Sequence, residues 1–183
     1  IMDKPLFPSF SQTWIGIGLH GWNDCLLAVC GPFLFASLLV IIYSALARSF
    51  RPWYSMLCAF LLASLPFLVY HAGTAYADFT QAFYYSSATI YLCLFMKDPS
   101  GKRSFSYLLV FALMLGICAW IKRSGIYYAG IDIAAWFFFI AVNRKKFKFD
   151  RKGIALSALI FLVLFAPLLS DPRVLTFGSH LKE

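Results

Sequence analysis

Long apolar runs separated by short polar connectors dominate this chain. Six such runs cover roughly residues 25–47, 53–70, 79–96, 104–121, 126–142 and 153–169. Each has about the 17 to 25 residues that an α-helix needs to cross a hydrocarbon core near 30 Å thick. The runs lack the alternation expected of barrel strands, and open sheet edges cannot be satisfied in lipid. The pattern therefore predicts an all-α protein, a polytopic bundle of about six transmembrane helices.

The composition agrees with a membrane protein. Of the 183 residues, 61% are hydrophobic and 13% are charged, whereas soluble domains are nearer half apolar and about a quarter charged. The net charge of +8 does not indicate nucleic-acid binding, because the basic residues form short clusters between apolar runs without a recognition motif. The five cysteines form no CxxC pair or Cys/His cluster, so we interpret them as small buried hydrophobic residues.

The distribution of Lys and Arg predicts the orientation in the membrane. The connectors after the first, third and fifth runs hold eleven of these residues, and the remaining polar segments hold five. Cytoplasmic loops carry the excess, so the first set is expected inside and both chain ends outside. We expect residues 1–24 to form an external juxtamembrane segment with a surface helix around Trp14 and Ile17, 25–169 the bundle, and 170–183 the start of an external loop.

A polar stripe descends into the third run from the external connector at 70–78. The connector ends in Asp78, and Gln81, Tyr85 and Thr89 follow at i+3, i+7 and i+11, which places all four on one helical face. Two interpretations are open. Asp78 caps the helix while the stripe makes interhelical hydrogen bonds, or Asp78, Gln81 and Tyr85 face a water-filled external cavity as part of a functional site.

The turn between the fourth and fifth runs carries two cations on the side where positive charge is scarce. Lys122 and Arg123 occupy a four-residue connector that ends at Gly125. They either reach external lipid phosphates by snorkelling or bind the phosphate of a specific ligand, since Lys and Arg together offer charge and directed donors. The sequence leaves both interpretations open.

Asp132 lies inside the fifth run, about 9 Å below the external boundary at 1.5 Å per residue. An ionised acid at mid-span costs about 2.5 to 3.5 kcal/mol on insertion scales, so such residues usually face a cavity or a partner. Ser124, Tyr128 and Asp132 share a helical face by their i+4 spacing. A structural hydrogen bond to a neighbouring helix is the favoured interpretation over a functional role.

Two other patterns carry little functional weight. Gly16, Gly18 and Gly21 spell GxGxxG, but no strand precedes them and a membrane helix follows, so a nucleotide site is not expected. The three histidines are too scattered for a metal site, and no Ser/His/Asp order indicates a hydrolase.

Three segments in order resemble those of a known family. Lys4 to Pro8 are similar to a Pro-Pro-Leu-Tyr-Pro stretch before that family's second span, and residues 65–78 resemble its connector with an acidic residue. Residues 116–125 resemble its segment that begins with Gly, continues to Thr-Lys and ends with Gly. The family is the GT-C type polyprenyl-phosphate-sugar-dependent glycosyltransferases, in particular the bacterial relatives of dolichyl-phosphate-mannose protein mannosyltransferases and aminoarabinose transferases. Ile121 stands where the family usually has Thr.

The resemblance implies transfer of a sugar from a polyprenyl-phosphate donor to an unknown acceptor at the external or periplasmic face of the bacterial inner membrane. It implies that Asp78 is the secondary catalytic acid, near the acceptor or a metal, and that Lys122 and Arg123 bind the donor phosphate. Tyr76, Gln81 and Tyr85 are further substrate-binding candidates. The leaving phosphate would be stabilised by these cations or by a divalent metal ion, whose ligands are unknown.

The same resemblance places the principal catalytic acid on an external loop upstream of this sequence. We therefore expect the chain to be part of a longer enzyme, with an incomplete catalytic site here; its start lacks the features of a signal peptide. Two alternatives remain: a transporter or flippase with the Asp78 stripe and Asp132 along its substrate path, and a non-catalytic membrane subunit.

The predicted topology is tested by cysteine labelling of intact cells. Ser100→Cys and Phe147→Cys, one in each of two basic connectors, should resist a membrane-impermeant thiol reagent added outside and react once the membrane is opened. Strong labelling of either position in intact cells would overturn the orientation and the site assignments that depend on it.

Overall fold

The computed structural model describes residues 13–14, 16–18, 20, 28–74, 77–122, 124–143, 158–159 and 162. The helices there are α1 Cys30–Leu46, α2 Pro52–Ala63, α3 Pro66–Gly73, α4 Ala77–Lys97, α5 Ser104–Ile121 and α6 Ser124–Asn143. The described residues contain no strand, which confirms the all-α prediction. Residues 13–14 and 16–18 are helical, with Trp14 and Ile17 exposed, and their location on the membrane surface stays a prediction.

The described helices do not confirm the count of six spans. Two of them, α5 and α6, are long and apolar enough to cross a membrane, and α2 with α3 makes a third if the bent pair is one span. The apolar helix α1 has only 17 residues. The 21-residue helix α4 is long enough, but its polar stripe makes it less apolar than α5 or α6. Most of the sixth run, 153–169, lies outside the described residues.

The second apolar run is broken, so the prediction of one continuous helix over 53–70 is wrong. Helix α2 ends at Ala63, α3 begins at Pro66, and their axes differ by 64°. Proline lacks an N–H and its ring clashes with the preceding turn. It also disfavours helical backbone in the residue before it, and Leu65 is accordingly extended, with φ −73° and ψ 111°.

Helices α4 and α5 hold the core of the described bundle, and α6 packs against both. The buried members of the core come from α4, α5 and the first half of α6; they are Ala88, Leu92, Phe95, Leu108, Phe111, Leu115 and Ala129. The apolar side chains on the other faces of α2, α3 and α6 remain exposed, among them Phe60, Phe67 and Phe138. Such an outer surface suits lipid, because apolar side chains there cost nothing in a bilayer.

Glycines allow two close backbone approaches. A side chain at Gly31 of α1 would overlap the carbonyl oxygen of Ala72 in α3, and one at Gly125 would overlap the carbonyl oxygen of Cys118 in α5. Small residues let membrane helices approach in this way. Gly125 also donates its N–H to the Lys122 carbonyl at 2.8 Å, which closes the turn from α5 into α6.

The connectors lie at two opposite ends of the described helices. At one end, Lys97 donates to the Ser49 hydroxyl at 2.6 Å, and the Arg48 guanidinium contacts the Tyr107 hydroxyl and lies 5.2 Å from the centre of that ring. At the other end, Lys122 contacts Asp78. The basic connectors after the first and third runs are therefore together, as the predicted alternation requires, and their cytoplasmic location stays a prediction.

The close turn at Gly125 gives a matched test of helix packing. We expect Gly125→Ala to lower the melting temperature in detergent, because its new methyl group meets backbone and overpacking costs about 1 to 3 kcal/mol. Gly130→Ala is the control on the same helix, since nothing lies within 4 Å of its added methyl group. Equal melting temperatures for the two variants would contradict the close α5–α6 approach.

Candidate functional site

The polar stripe on α4 faces the polar stripe on α6. Three pairs of residues connect the two helices, and the members of each pair are 43 positions apart: Gln81 with Ser124, Tyr85 with Tyr128, and Thr89 with Asp132. A constant offset means that α4 and α6 run in the same direction and keep one register over two helical turns. We call these three pairs the polar ladder.

Each rung of the polar ladder is a direct contact. The Ser124 hydroxyl donates to Gln81 Oε1 at 3.0 Å. The rings of Tyr85 and Tyr128 have centroids 4.8 Å apart with planes tilted by 30°, a distance typical of attractive aromatic pairs. The third rung lies deepest and joins the Thr89 hydroxyl to Asp132 Oδ2 at 3.0 Å. The sequence interpretation of Asp132 as an interhelical hydrogen-bond partner is thereby confirmed.

An ion pair stands at the open end of the polar ladder. Lys122 Nζ lies 2.7 Å from Asp78 Oδ1, and the side chains are 44% and 70% exposed, respectively. Asp78 is in the first turn of α4, where a carboxylate is also favoured by the helix dipole. Both charges are therefore held at a helix end and remain accessible to a ligand.

Gln81 lies three residues after Asp78 on α4 and has a buried donor. Its side chain is 4% exposed, and its Oε1 accepts from Ser124. Among the described residues, its buried Nε2 has no hydrogen-bond partner. A buried amide without a partner costs roughly 1 to 3 kcal/mol. A ligand oxygen at this position would satisfy that donor, so we include Gln81 in the candidate site.

Four of the six residues predicted for the site lie in the described part of the chain, and two of them, Asp78 and Lys122, contact each other. Asp78, Lys122, Gln81 and Tyr85 lie at the same end of α4 and α6. The other two, Tyr76 and Arg123, lie outside the described residues. The sequence analysis assigned Asp78 to the acceptor or a metal and Lys122 to the donor phosphate, without predicting that the two side chains pair directly. Opposite charges at the start of one span and in a turn on the same side were the available signal.

The described part of the site holds no preformed metal-binding cluster. The described residues contain no group of three or more His, Cys, Asp or Glu side chains that could hold one. Among the acids of that part of the chain, only Asp78 is at this end, and its carboxylate already pairs with Lys122. The side chains of the pair themselves offer an ammonium group, which can bind an anion, and a carboxylate, which can accept a proton.

A protein-family model matches most of the chain. The family model described as dolichyl-phosphate-mannose-protein mannosyltransferase matches residues 3–170. No curated protein and no solved structure matches the chain. The match covers most of the sequence, including all six described helices, and confirms the resemblance noted above. The chain thus belongs to the dolichyl-phosphate-mannose-protein mannosyltransferase family, a family of membrane glycosyltransferases that use polyprenyl-phosphate sugar donors.

Proposed function

We propose that this protein transfers a sugar from a polyprenyl phosphate to an acceptor at the external face of the bacterial inner membrane, with Lys122 on the donor phosphate and Asp78 beside the acceptor. The observation that carries the proposal is the exposed Lys122–Asp78 pair at the open end of the polar ladder. A protein of this family needs both a cation for the leaving phosphate and a carboxylate for the attacking hydroxyl.

Lys122 supplies the charge that the leaving group requires. As the bond between the anomeric carbon and the phosphate oxygen breaks, the phosphate gains negative charge. A fixed ammonium group therefore stabilises the transition state more than the bound donor, which is the condition for faster turnover. Pairing with Asp78 holds Lys122 at this end before the donor arrives.

Asp78 has a role that becomes available when Lys122 turns to the phosphate. Its carboxylate, 70% exposed, then accepts the proton of the acceptor hydroxyl as that oxygen attacks the anomeric carbon. The new glycosidic bond forms on the acceptor oxygen and the polyprenyl phosphate departs. Direct displacement of this kind inverts the anomeric centre and needs no covalent intermediate, by analogy with inverting glycosidases.

The remaining candidates are assigned to substrate binding. The buried Nε2 of Gln81 suits an oxygen of the sugar or phosphate, and Tyr85, fixed by its contact with Tyr128, forms the floor below it. Tyr76 and Arg123 stay substrate-binding proposals on sequence grounds alone.

One observation favours the alternative of a transporter. The broken pair α2 and α3 resembles the discontinuous helices on which transporters build their sites. That break, however, comes about 18 Å along α2 at 1.5 Å per residue, beyond the middle of a hydrocarbon core of about 30 Å. The two residues of the deepest rung, Thr89 and Asp132, also contact each other directly, which leaves no substrate path between them. We therefore keep the transferase as the proposed function.

Removing the ammonium group should lower turnover strongly. We expect Lys122→Ala to reduce kcat with a polyprenyl-phosphate sugar by about a hundredfold or more, roughly 2.7 to 4 kcal/mol, the effect of losing a comparable electrostatic contact. Arg123→Ala should lose less. Lys102→Ala, an exposed cation at the opposite end, is the control and should match the wild type. Near-normal turnover and donor affinity in both Lys122→Ala and Arg123→Ala would assign the pair to lipid anchoring.

Asp78→Asn separates a chemical role from a structural one. The variant should insert and fold normally but lose sugar transfer, because an amide cannot accept the proton. The exchanged double variant Asp78→Lys with Lys122→Asp keeps an ion pair and should be equally inactive. Full activity of Asp78→Asn would reduce Asp78 to a helix cap, and recovery in the exchanged variant would make the ion pair purely structural.

A further inference from the structure

Asp132 is a buried acid that the proposed chemistry does not use. Of the three acids in the described part of the chain, Asp78 and Asp98 are exposed, whereas Asp132 is 3% exposed. It pairs with Thr89, which is 11 residues below Asp78 and so about 16 Å away along α4. That separation is too long for contact with a substrate held by Asp78 and Lys122. Asp132 must act, if it acts on transfer, through the helices.

The contacts around Asp132 indicate that polar groups determine the register between α4 and α6. Further along the helices, the packing is apolar, with Phe95 and Phe139 at a centroid distance of 6.4 Å. Apolar contacts choose weakly among registers in a bilayer, because lipid tails satisfy the same side chains. A buried polar residue does choose, as single polar residues do in coiled coils.

A displacement of α6 along α4 affects all three pairs of the polar ladder together. Sliding by one helical turn moves α6 by about 5.4 Å relative to α4, which a 3.0 Å hydrogen bond between Thr89 and Asp132 cannot survive. Lys122 lies in the short connector that leads from α5 into α6, 44 positions after Asp78, so a slide of α6 that displaces this connector also separates the two charges. The hydrogen bond at the buried end of the polar ladder, between Thr89 and Asp132, thus determines whether Asp78 and Lys122 meet at the exposed end.

We propose that Asp132 is a positioning residue, which fixes the register of α4 against α6 through Thr89 and so keeps Asp78 opposite Lys122. The proposal rests on the function proposed above for that ion pair. It assigns Asp132 no contact with donor or acceptor and no proton transfer in the reaction.

The hydroxyl of Thr89 determines which substitution of Asp132 preserves the register of α4 against α6. It lies 3.0 Å from Asp132 Oδ2 and also 3.0 Å from the Tyr85 carbonyl oxygen, but a hydroxyl has one proton to donate. An amide at position 132 can donate to the Thr89 oxygen while Thr89 donates to the Tyr85 carbonyl. Asp132→Asn should therefore keep the register, whereas Asp132→Leu, of similar size but apolar, should lose it.

Register is measured directly by chemical cross-linking in native membranes. In a chain whose own cysteines are replaced by alanine, Tyr85→Cys with Tyr128→Cys reports the observed register, and Gln81→Cys with Tyr128→Cys reports a register displaced by one turn. With a short bismaleimide, the first pair should cross-link and the second should not. Adding Asp132→Leu should weaken the first and strengthen the second, while adding Asp132→Asn should leave both unchanged.

Transfer activity is measured separately, without the cysteine pairs. Asp132→Leu should lower kcat by up to about a hundredfold, since a misplacement of about 1 Å can cost that much, and Asp132→Asn should restore most of it. Ala135→Leu adds the same side chain on the exposed face of α6 and is the control, with normal kcat.

The outcomes separate this proposal from the function on which it rests. A register shift together with lost turnover in Asp132→Leu supports it. Lost turnover without a register shift, or a register shift without lost turnover, overturns it, as does an unchanged Asp132→Leu. If Lys122→Ala and Asp78→Asn are fully active, the proposed function has failed instead, and the cross-linking result still decides whether Asp132 sets the register.

Discussion

The register between α4 and α6 is the constraint on which the site depends. These helices are not joined to each other directly, because α5 runs between them in the opposite direction, so nothing in the chain connectivity determines how far one is displaced along the other. The polar ladder does so, with hydrogen bonds of 3.0 Å at both of its ends. Gly125 contributes from the other side, since its close approach to Cys118 holds the turn that carries Lys122.

The exposure of the Lys122–Asp78 pair suits it to exchange partners. A surface ion pair contributes only about 0 to 1 kcal/mol, so a donor phosphate can take Lys122 from Asp78 at small cost. Breaking a buried pair would cost about 3 to 5 kcal/mol, and the donor would then have to offset that loss before any catalysis. Burial and charge are therefore matched. The acid buried in the bundle has a neutral partner, and the two opposite charges lie at the accessible end.

Periodicity predicted faces correctly but could not predict partners. The i+3, i+7 and i+11 spacing after Asp78 identified one polar face on α4, and the i+4 spacing of Ser124, Tyr128 and Asp132 identified another. Only the three-dimensional structure reveals that the two faces meet. The length of the second apolar run did not predict the break at Pro66 for a related reason: hydropathy counts apolar residues and is insensitive to a bend. The roles of Tyr76 and Arg123 depend on residues that the structure does not describe.

The bend also bears on how a lipid-linked donor meets the site. The pair α2 and α3 has 12 and 8 residues, about 18 and 12 Å of helix, and with the 64° bend it advances about 23 Å along α2. A hydrocarbon core is about 30 Å thick, and a short span is accommodated by local thinning of the bilayer. Because α3 precedes α4 in the chain, such thinning would bring the headgroup layer toward Asp78. Under the proposed function, the donor phosphate would then meet Lys122 while its polyprenyl chain stays in lipid.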